Sequence, residues 1–200
     1  TSNVARFVDA LIDGDVLKAS DIYKNLSGIY PIYITRDLTH AKKWVHEQTK
    51  GKKLRHGLIA SSNGRRLRAD GIWIESKCKP EKWFLGERDD IRSSYFMEEA
   101  ASEFEIQGLE IDYAVVGWDA DYRYVDGKFE YFKPSGSRWL SINQEDKKRY
   151  LKNAYRVLLT RAREGFVIFV PRGDNSDATR QYKFYDDLWQ YLINIGIEEL

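Results

Sequence analysis

The segment NAYRVLLTRARE, residues 153 to 164, ends a helical apolar stripe with Arg161 and Arg163 just before the apolar run GFVIFVP. Two positions apart, the pair points in different directions from one helix end. An arginine placed there can complement the helix dipole and cap the last carbonyls. It can equally reach a phosphate, because a guanidinium holds its charge and offers a planar fork of donors. A second segment, SEFEIQGLEID (102–112), sets Gly108 between a polar approach and a strand, where a backbone without Cβ admits a ligand closely. Glu110 stands at the strand entrance as an acceptor for hydroxyl groups. The plain alternative is an exposed turn with an ordinary strand-opening acid. A third group, Arg65, Arg66 and Arg68, follows the run LIASS, with Trp73, Trp83 and Phe84 beyond it and Trp139 further on. Cations and aromatics in that mixture hold single-stranded nucleic acid, although a solvated loop and core tryptophans account for the same residues.

Helix and strand signals alternate along the chain that must position these groups. Ser2 or Asn3 caps a first helix through Ile12, ended by DGD. YPIYITRD then reads as a short strand whose Asp37 caps a helix over 38–49, and HGLIASS reads as a buried strand. Residues 64 to 94 read as loop with one strand at IWIES. Ile111, Tyr113, Val115 and Val116 mark a central strand, and Asp126-Gly127 between alternating aromatics marks a hairpin. A helix is expected over 143–163, then the strand FVIFV, then a last amphipathic helix carrying Tyr185, Leu188, Trp189, Leu192 and Ile193. Alternation of this kind predicts an α/β domain with a mostly parallel sheet covered on both faces, the hairpin being an insertion. In such sheets ligands bind beyond the carboxyl ends of the strands, and Arg161 is expected on that rim beside Glu110.

A chain of 200 residues forms one domain with a real core. Lys and Arg total 32 against 31 Asp and Glu, a net charge of +1, so any attraction to nucleic acid must be local. The single cysteine, Cys78, excludes an internal disulfide and any multi-cysteine zinc site. His40, His46 and His56 are not spaced as metal ligands, so no metal site is expected. No apolar run approaches the ~18 residues of a membrane span and the amino terminus lacks a signal-peptide core. A cytoplasmic protein without membrane contact is expected. The abrupt start on helix signals suggests a piece of something longer.

QGLEIDYAVV followed later by YRVLLTRARE resembles motifs V and VI of the second RecA-like domain of superfamily 1 helicases. More closely, SEFEIQGLEIDYAVVGWDADYRY, NAYRVLLTRAREGFVIFVP and YDDLWQYL are similar to the carboxyl-terminal half of the Schlafen-group-three-like DNA/RNA helicase domain family, most densely over residues 98 to 195. The resemblance implies a three-layer RecA-like domain over residues 1–200 in an ATP-dependent helicase or translocase. It implies that Arg161 is the finger contacting the γ-phosphate of ATP held against a partner domain, a role worth about 10³ to 10⁵ in rate. Glu110 would approach the ribose or nearby phosphates, Gly108 would admit the backbone closely, Thr160 would orient the turn, and Arg163 would be structural or catalytic. Ser102 and Glu103, which open motif V, would touch nucleic acid, as would Arg65, Arg66 and Arg68. Gln107 replaces the widespread lysine of the motif, so no charge role carries over there. The sequence holds no GxxxxGK(S/T) loop; that loop and the metal-binding acids are expected in an amino-terminal RecA-like domain preceding Thr1. ATP and Mg²⁺ are the cofactors implied for the full-length protein, with no tight binding or hydrolysis by these residues alone. The partners implied are that domain and single-stranded or duplex nucleic acid.

Two rivals follow from other residues. Glu75 and Lys77 in IWIESK form the E-x-K pair that metal-dependent nucleases combine with an upstream aspartate, for which Asp70 and Asp37 are the candidates. Alternatively, the domain keeps a helicase shape as a noncatalytic interaction module.

Overall fold

The computed structural model describes residues 2–74, 80–88, 94, 97 and 99–200. In chain order the elements are α1 (Asn3–Ile12), α2 (Val16–Leu26), β1 (Ile32–Thr35), α3 (Leu38–Thr49), β2 (His56–Ala60), α4 (Pro80–Leu85), β3 (Ala100–Ala101), α5 (Glu103–Ile106) and β4 (Ile111–Gly117). There follow β5 (Tyr122–Val125), β6 (Lys128–Ser135), β7 (Arg138–Ser141), α6 (Glu145–Thr160), β8 (Ala162–Phe169), α7 (Tyr182–Ile195) and β9 (Glu198–Glu199). Six strands form one sheet in the order β3-β2-β4-β8-β1-β9, and every pairing in it is parallel. β4 and β8, the strands that follow the two motif segments, lie side by side at its centre, with Val115 opposite Val167.

Alternate residues of these strands face opposite ways, and the burial follows that period. Phe166, Ile168 and Val170 join a core with α1, α2, α6 and α7, whereas Val167 and Phe169 join a second core with Ala41 and Val45 of α3. Two cores on two faces make the three-layer α/β architecture expected. Side chains set the helix starts: the Ser2 hydroxyl accepts from the Ala5 amide at 3.2 Å, and Asp37 accepts from the amides of Thr39 and His40 at 2.9 and 3.2 Å. Asp37 is thus spent as a cap.

The Asp126-Gly127 turn forms as expected, with φ of 48° and 86°, the paired left-handed values that a two-residue hairpin demands. It belongs to a separate antiparallel sheet, β5-β6-β7, one strand larger than the hairpin expected. Two other expectations fail. Ile72–Ile74 is not strand, and RRLRAD before it winds into a 3₁₀ turn ended by left-handed Gly71. α2 occupies a stretch given no element, because the DGD that stops α1 also supplies Asp15, whose carboxylate caps the next helix through the Lys18 amide at 3.1 Å.

Candidate functional site

The segment SEFEIQGLE runs from one end of the sheet to the other. Ser102 follows β3 at the carboxyl rim, α5 makes a single turn, and Glu110 precedes β4 at the amino rim. α6 ends at that amino rim too, where Arg161 is its C-cap and β8 begins one residue later. The two segments meet directly: the Ile111 amide donates to the Arg161 carbonyl at 3.2 Å, and the Arg161 Nη1 donates to the Leu109 carbonyl at 3.4 Å. Arg161 and Glu110 therefore share a rim, as expected, but at the amino rather than the carboxyl ends of the strands. The carboxyl-end rule concerns strand-to-helix loops; Arg161 sits on a helix-to-strand turn, which returns the chain to the opposite edge.

The two arginines differ in how they are held. Besides Leu109, the Arg161 guanidinium reaches only the Val157 carbonyl among the described residues, at 3.3 Å, so both contacts are near the outer limit of a hydrogen bond. Its stem lies along an apolar crevice of Trp83, Ile106, Leu109 and Ile111. Arg163 instead grips one carboxylate oxygen of Asp112 with Nε and Nη2 at 3.1 and 2.7 Å, and the other oxygen accepts from the Arg55 amide at 2.7 Å. Asp112 holds the Arg163 pKa above its ordinary value. Thr160 bonds back to the Arg156 carbonyl at 2.7 Å, inside its own helix. Gly108 has φ of 83° with open space where a Cβ would stand, and Glu110 is exposed. A cation on two weak contacts, an exposed carboxylate and an accessible left-handed glycine fit one wall of a nucleotide site.

The carboxyl rim gathers the remaining candidates, and here the geometry redistributes roles. Glu103 is 6% exposed, and its carboxylate accepts from the Ser62 amide and hydroxyl at 2.8 and 2.6 Å. It fixes the loop after β2 instead of facing a ligand, which corrects its assignment as a nucleic-acid contact. Ser102 is likewise buried, in a capping box with Glu105. Arg66 donates through its amide to Asp119 at 3.0 Å and through its guanidinium to the Gly136 carbonyl at 2.6 Å. Arg65 and Arg68 are exposed, the latter 4.2 Å from the ring centre of Trp73. Trp83, in the crevice along Arg161 at the amino rim, is buried and Trp139 is half-buried, each with its indole N–H bonded to a carbonyl. The nuclease candidates Glu75 and Lys77 lie outside the described residues, as does Cys78.

A buried cluster on this rim went unread in the sequence. Asp119 and Asp121, in the WDAD that follows β4, are 2% and 0% exposed. The Tyr185 hydroxyl donates to Asp119 at 2.8 Å and the Tyr155 hydroxyl to Asp121 at 2.5 Å. Burial pushes the Asp119 carboxyl up to about 6; burial and then the neighbouring Asp119 charge push Asp121 to about 7. The available signal was an acidic pair directly after a buried strand.

Sheet order, the two covering layers and the two rims define an α/β domain of the RecA-like three-layer kind. The chain belongs to the Schlafen group 3, DNA/RNA helicase domain family, whose model matches residues 1–172. The match takes in the whole amino-terminal half and stops before α7, so YDDLWQYL falls beyond it. No curated protein and no solved structure matches the chain.

Proposed function

We propose that this chain is the second RecA-like domain of a superfamily 1 type helicase or translocase, contributing one wall of an ATP site that a preceding RecA-like domain completes. The observation that carries this reading is the meeting of Arg161 with the Leu109-Glu110 turn, in a family of helicase domains. Arg163 is committed to Asp112, whereas Arg161 leaves its two long contacts at little cost, since a protein hydrogen bond contributes only about 1 kcal/mol net. In this reading Arg161 turns outward to the terminal phosphate, Glu110 accepts from the ribose or lies near the phosphates, and Gly108 lets the backbone approach. Thr160 keeps the last turn of α6 regular, and Arg163 braces the start of β8. ATP, with Mg²⁺, supplies the phosphoryl group to be transferred to water; the preceding domain holds most of it. Arg65, Arg66 and Arg68 place positive charge at the carboxyl rim, where nucleic acid would run, and Ser102 and Glu103 shape that rim.

The test is nucleic-acid-stimulated ATPase of the full chain combined with the amino-terminal domain. Arg161→Ala is expected to lower turnover by about 10³ to 10⁵ with an unchanged circular dichroism spectrum, while Arg163→Ala keeps turnover per folded molecule. Unchanged turnover in Arg161→Ala would overturn the assignment and leave the interaction-module reading standing.

A further inference from the structure

Two large aromatic side chains on the carboxyl rim are left in water. Phe104 on α5 is 61% exposed and Tyr150 on α6 is 48% exposed, yet their rings pair, with centroids 5.9 Å apart and planes tilted by 31°. Their supports are rigid. The Ser102–Glu105 capping box fixes the single turn of α5, and Glu103, between Ser102 and Phe104, is anchored to the Ser62 loop. Tyr150 stands in the second turn of a 16-residue helix packed on the core. Its hydroxyl pKa is raised, by partial burial first and then by the charge of Glu103, which puts it beside the same anchored loop.

The charges around the pair favour one kind of ligand. α6 carries five cations, of which three are ion-paired: Lys148 with Glu145 at 3.5 Å, Lys152 with Asp13, and Arg156 with Asp9 at 2.7 Å. Lys147 and Arg149, the two with no carboxylate partner among the described residues, lie within one turn of Tyr150. Asp146 also lies there, but in the first turn, where the positive end of the helix accommodates it. Exposed rings flanked by unpaired cations suit a ligand that alternates flat faces with negative charge. The core of a protein interface is instead depleted of charge. A duplex keeps its base faces stacked on one another, so the ligand must be single-stranded.

We propose that Phe104 and Tyr150 form a stacking platform for an unpaired base of single-stranded nucleic acid, with Lys147 and Arg149 taking the flanking phosphates. The proposal rests on the helicase reading and gives its nucleic-acid face specific residues. Both rings being exposed, their truncation should leave the fold intact, which circular dichroism checks. The probe is a fluorescein-labelled oligothymidylate, with binding to the full chain followed by anisotropy over a series of KCl concentrations. Phe104→Ala and Tyr150→Ala should each weaken binding about five- to a hundred-fold at every salt concentration, with the salt slope unchanged because no phosphate contact is lost. Tyr150→Phe, which keeps the ring, should bind as the unaltered chain does. Lys147→Ala and Arg149→Ala should each flatten the slope by about 0.7. If the unaltered chain binds the oligonucleotide and the two alanine variants bind it equally well, the platform is wrong while the nucleic-acid reading stands. If the unaltered chain does not bind it at all, both fall together.

Discussion

At the scale of single residues, Asp112 decides what the two arginines of LTRAR are free to do. Its carboxylate is almost fully enclosed, 5% exposed against 57% for the Arg163 side chain. It is tolerable there only because both oxygens are occupied, one by the Arg163 fork and one by the Arg55 amide. Removing the carboxylate takes this acceptor from the half-buried Arg55 N–H and from the Arg163 fork together. Asp112→Ala should therefore cost about 1.5–3 kcal/mol in urea denaturation, and Arg163→Ala should be destabilising in the same direction by a smaller amount, since the Arg55 bond survives. Neither should change turnover per folded molecule. A variant of Arg163 that folds as stably as the unaltered chain but loses turnover would exchange the roles given to the two arginines. Nothing in the spacing of LTRAR alone separates them; the separation comes from an aspartate two positions past Glu110, on the neighbouring strand.

The elements were legible wherever local pattern and burial agree. β4 and β8 carry apolar residues at every position that the two cores require, and Asp126-Gly127 tolerates the paired left-handed values that its two-residue turn demands. Local pattern failed where a residue serves two masters. Asp15 follows a helix stop yet starts a helix. Ile72 is apolar and 0% exposed, and it fills the core from irregular backbone after a 3₁₀ turn, which alternation cannot distinguish from a strand. At the site, order along the chain placed Glu110 and Arg161 on one rim, but the inward turn of Glu103 depends on Ser62, and the Phe104–Tyr150 pairing joins two elements far apart in sequence. Neither is written in its own neighbourhood. Gly165 is a further case, an unremarkable residue before a strand until the fold brings β1 alongside. A Cβ there would stand 2.7 Å from the carbonyl oxygen of Pro31, and that carbonyl accepts from the Phe166 amide at 3.1 Å. The backbone cannot yield without parting β1 from β8. Gly165→Ala should lower stability by about 1–3 kcal/mol in urea denaturation, with the loss seen first as faster amide exchange in β1 and β9; unchanged exchange in those two strands would show that the sheet gives way elsewhere.

Across the whole molecule, the Asp119–Asp121 cluster is where the layers are joined. The pair follows β4 and accepts hydroxyls from α6 and α7, while Asp119 also takes the Arg66 amide after β2. Arg123, at the start of the smaller sheet, lies 3.8 Å from the ring centre of Phe132 and 3.6 Å from that of Phe184, fastening that sheet to α7. Its own pKa is lowered to about 10 by burial, with Tyr185, Asp119 and Asp121 opposing the shift. Two enclosed carboxyls so close together do not both ionise readily, and their folded pKa values, about 6 and about 7, stand above the ordinary 3.8. The sign follows from linkage: a raised carboxyl pKa favours the folded state fully below about pH 4, and this contribution is lost as pH rises through 6 and 7. Asp121→Asn removes the second charge while keeping an acceptor for the Tyr155 hydroxyl and the Tyr122 amide, which both already bond to Oδ1. The variant should melt close to the unaltered chain at pH 4 and several °C above it at pH 8, each kcal/mol being worth about 2–4 °C in a domain of this size. Taking the difference between the two proteins at each pH cancels the other titrating groups, so the widening of the gap between pH 5 and 8 reports this pair alone. Parallel melting curves across that range would mean that the two carboxyls titrate as they do in the unfolded chain, and that the junction of the layers holds no proton of its own.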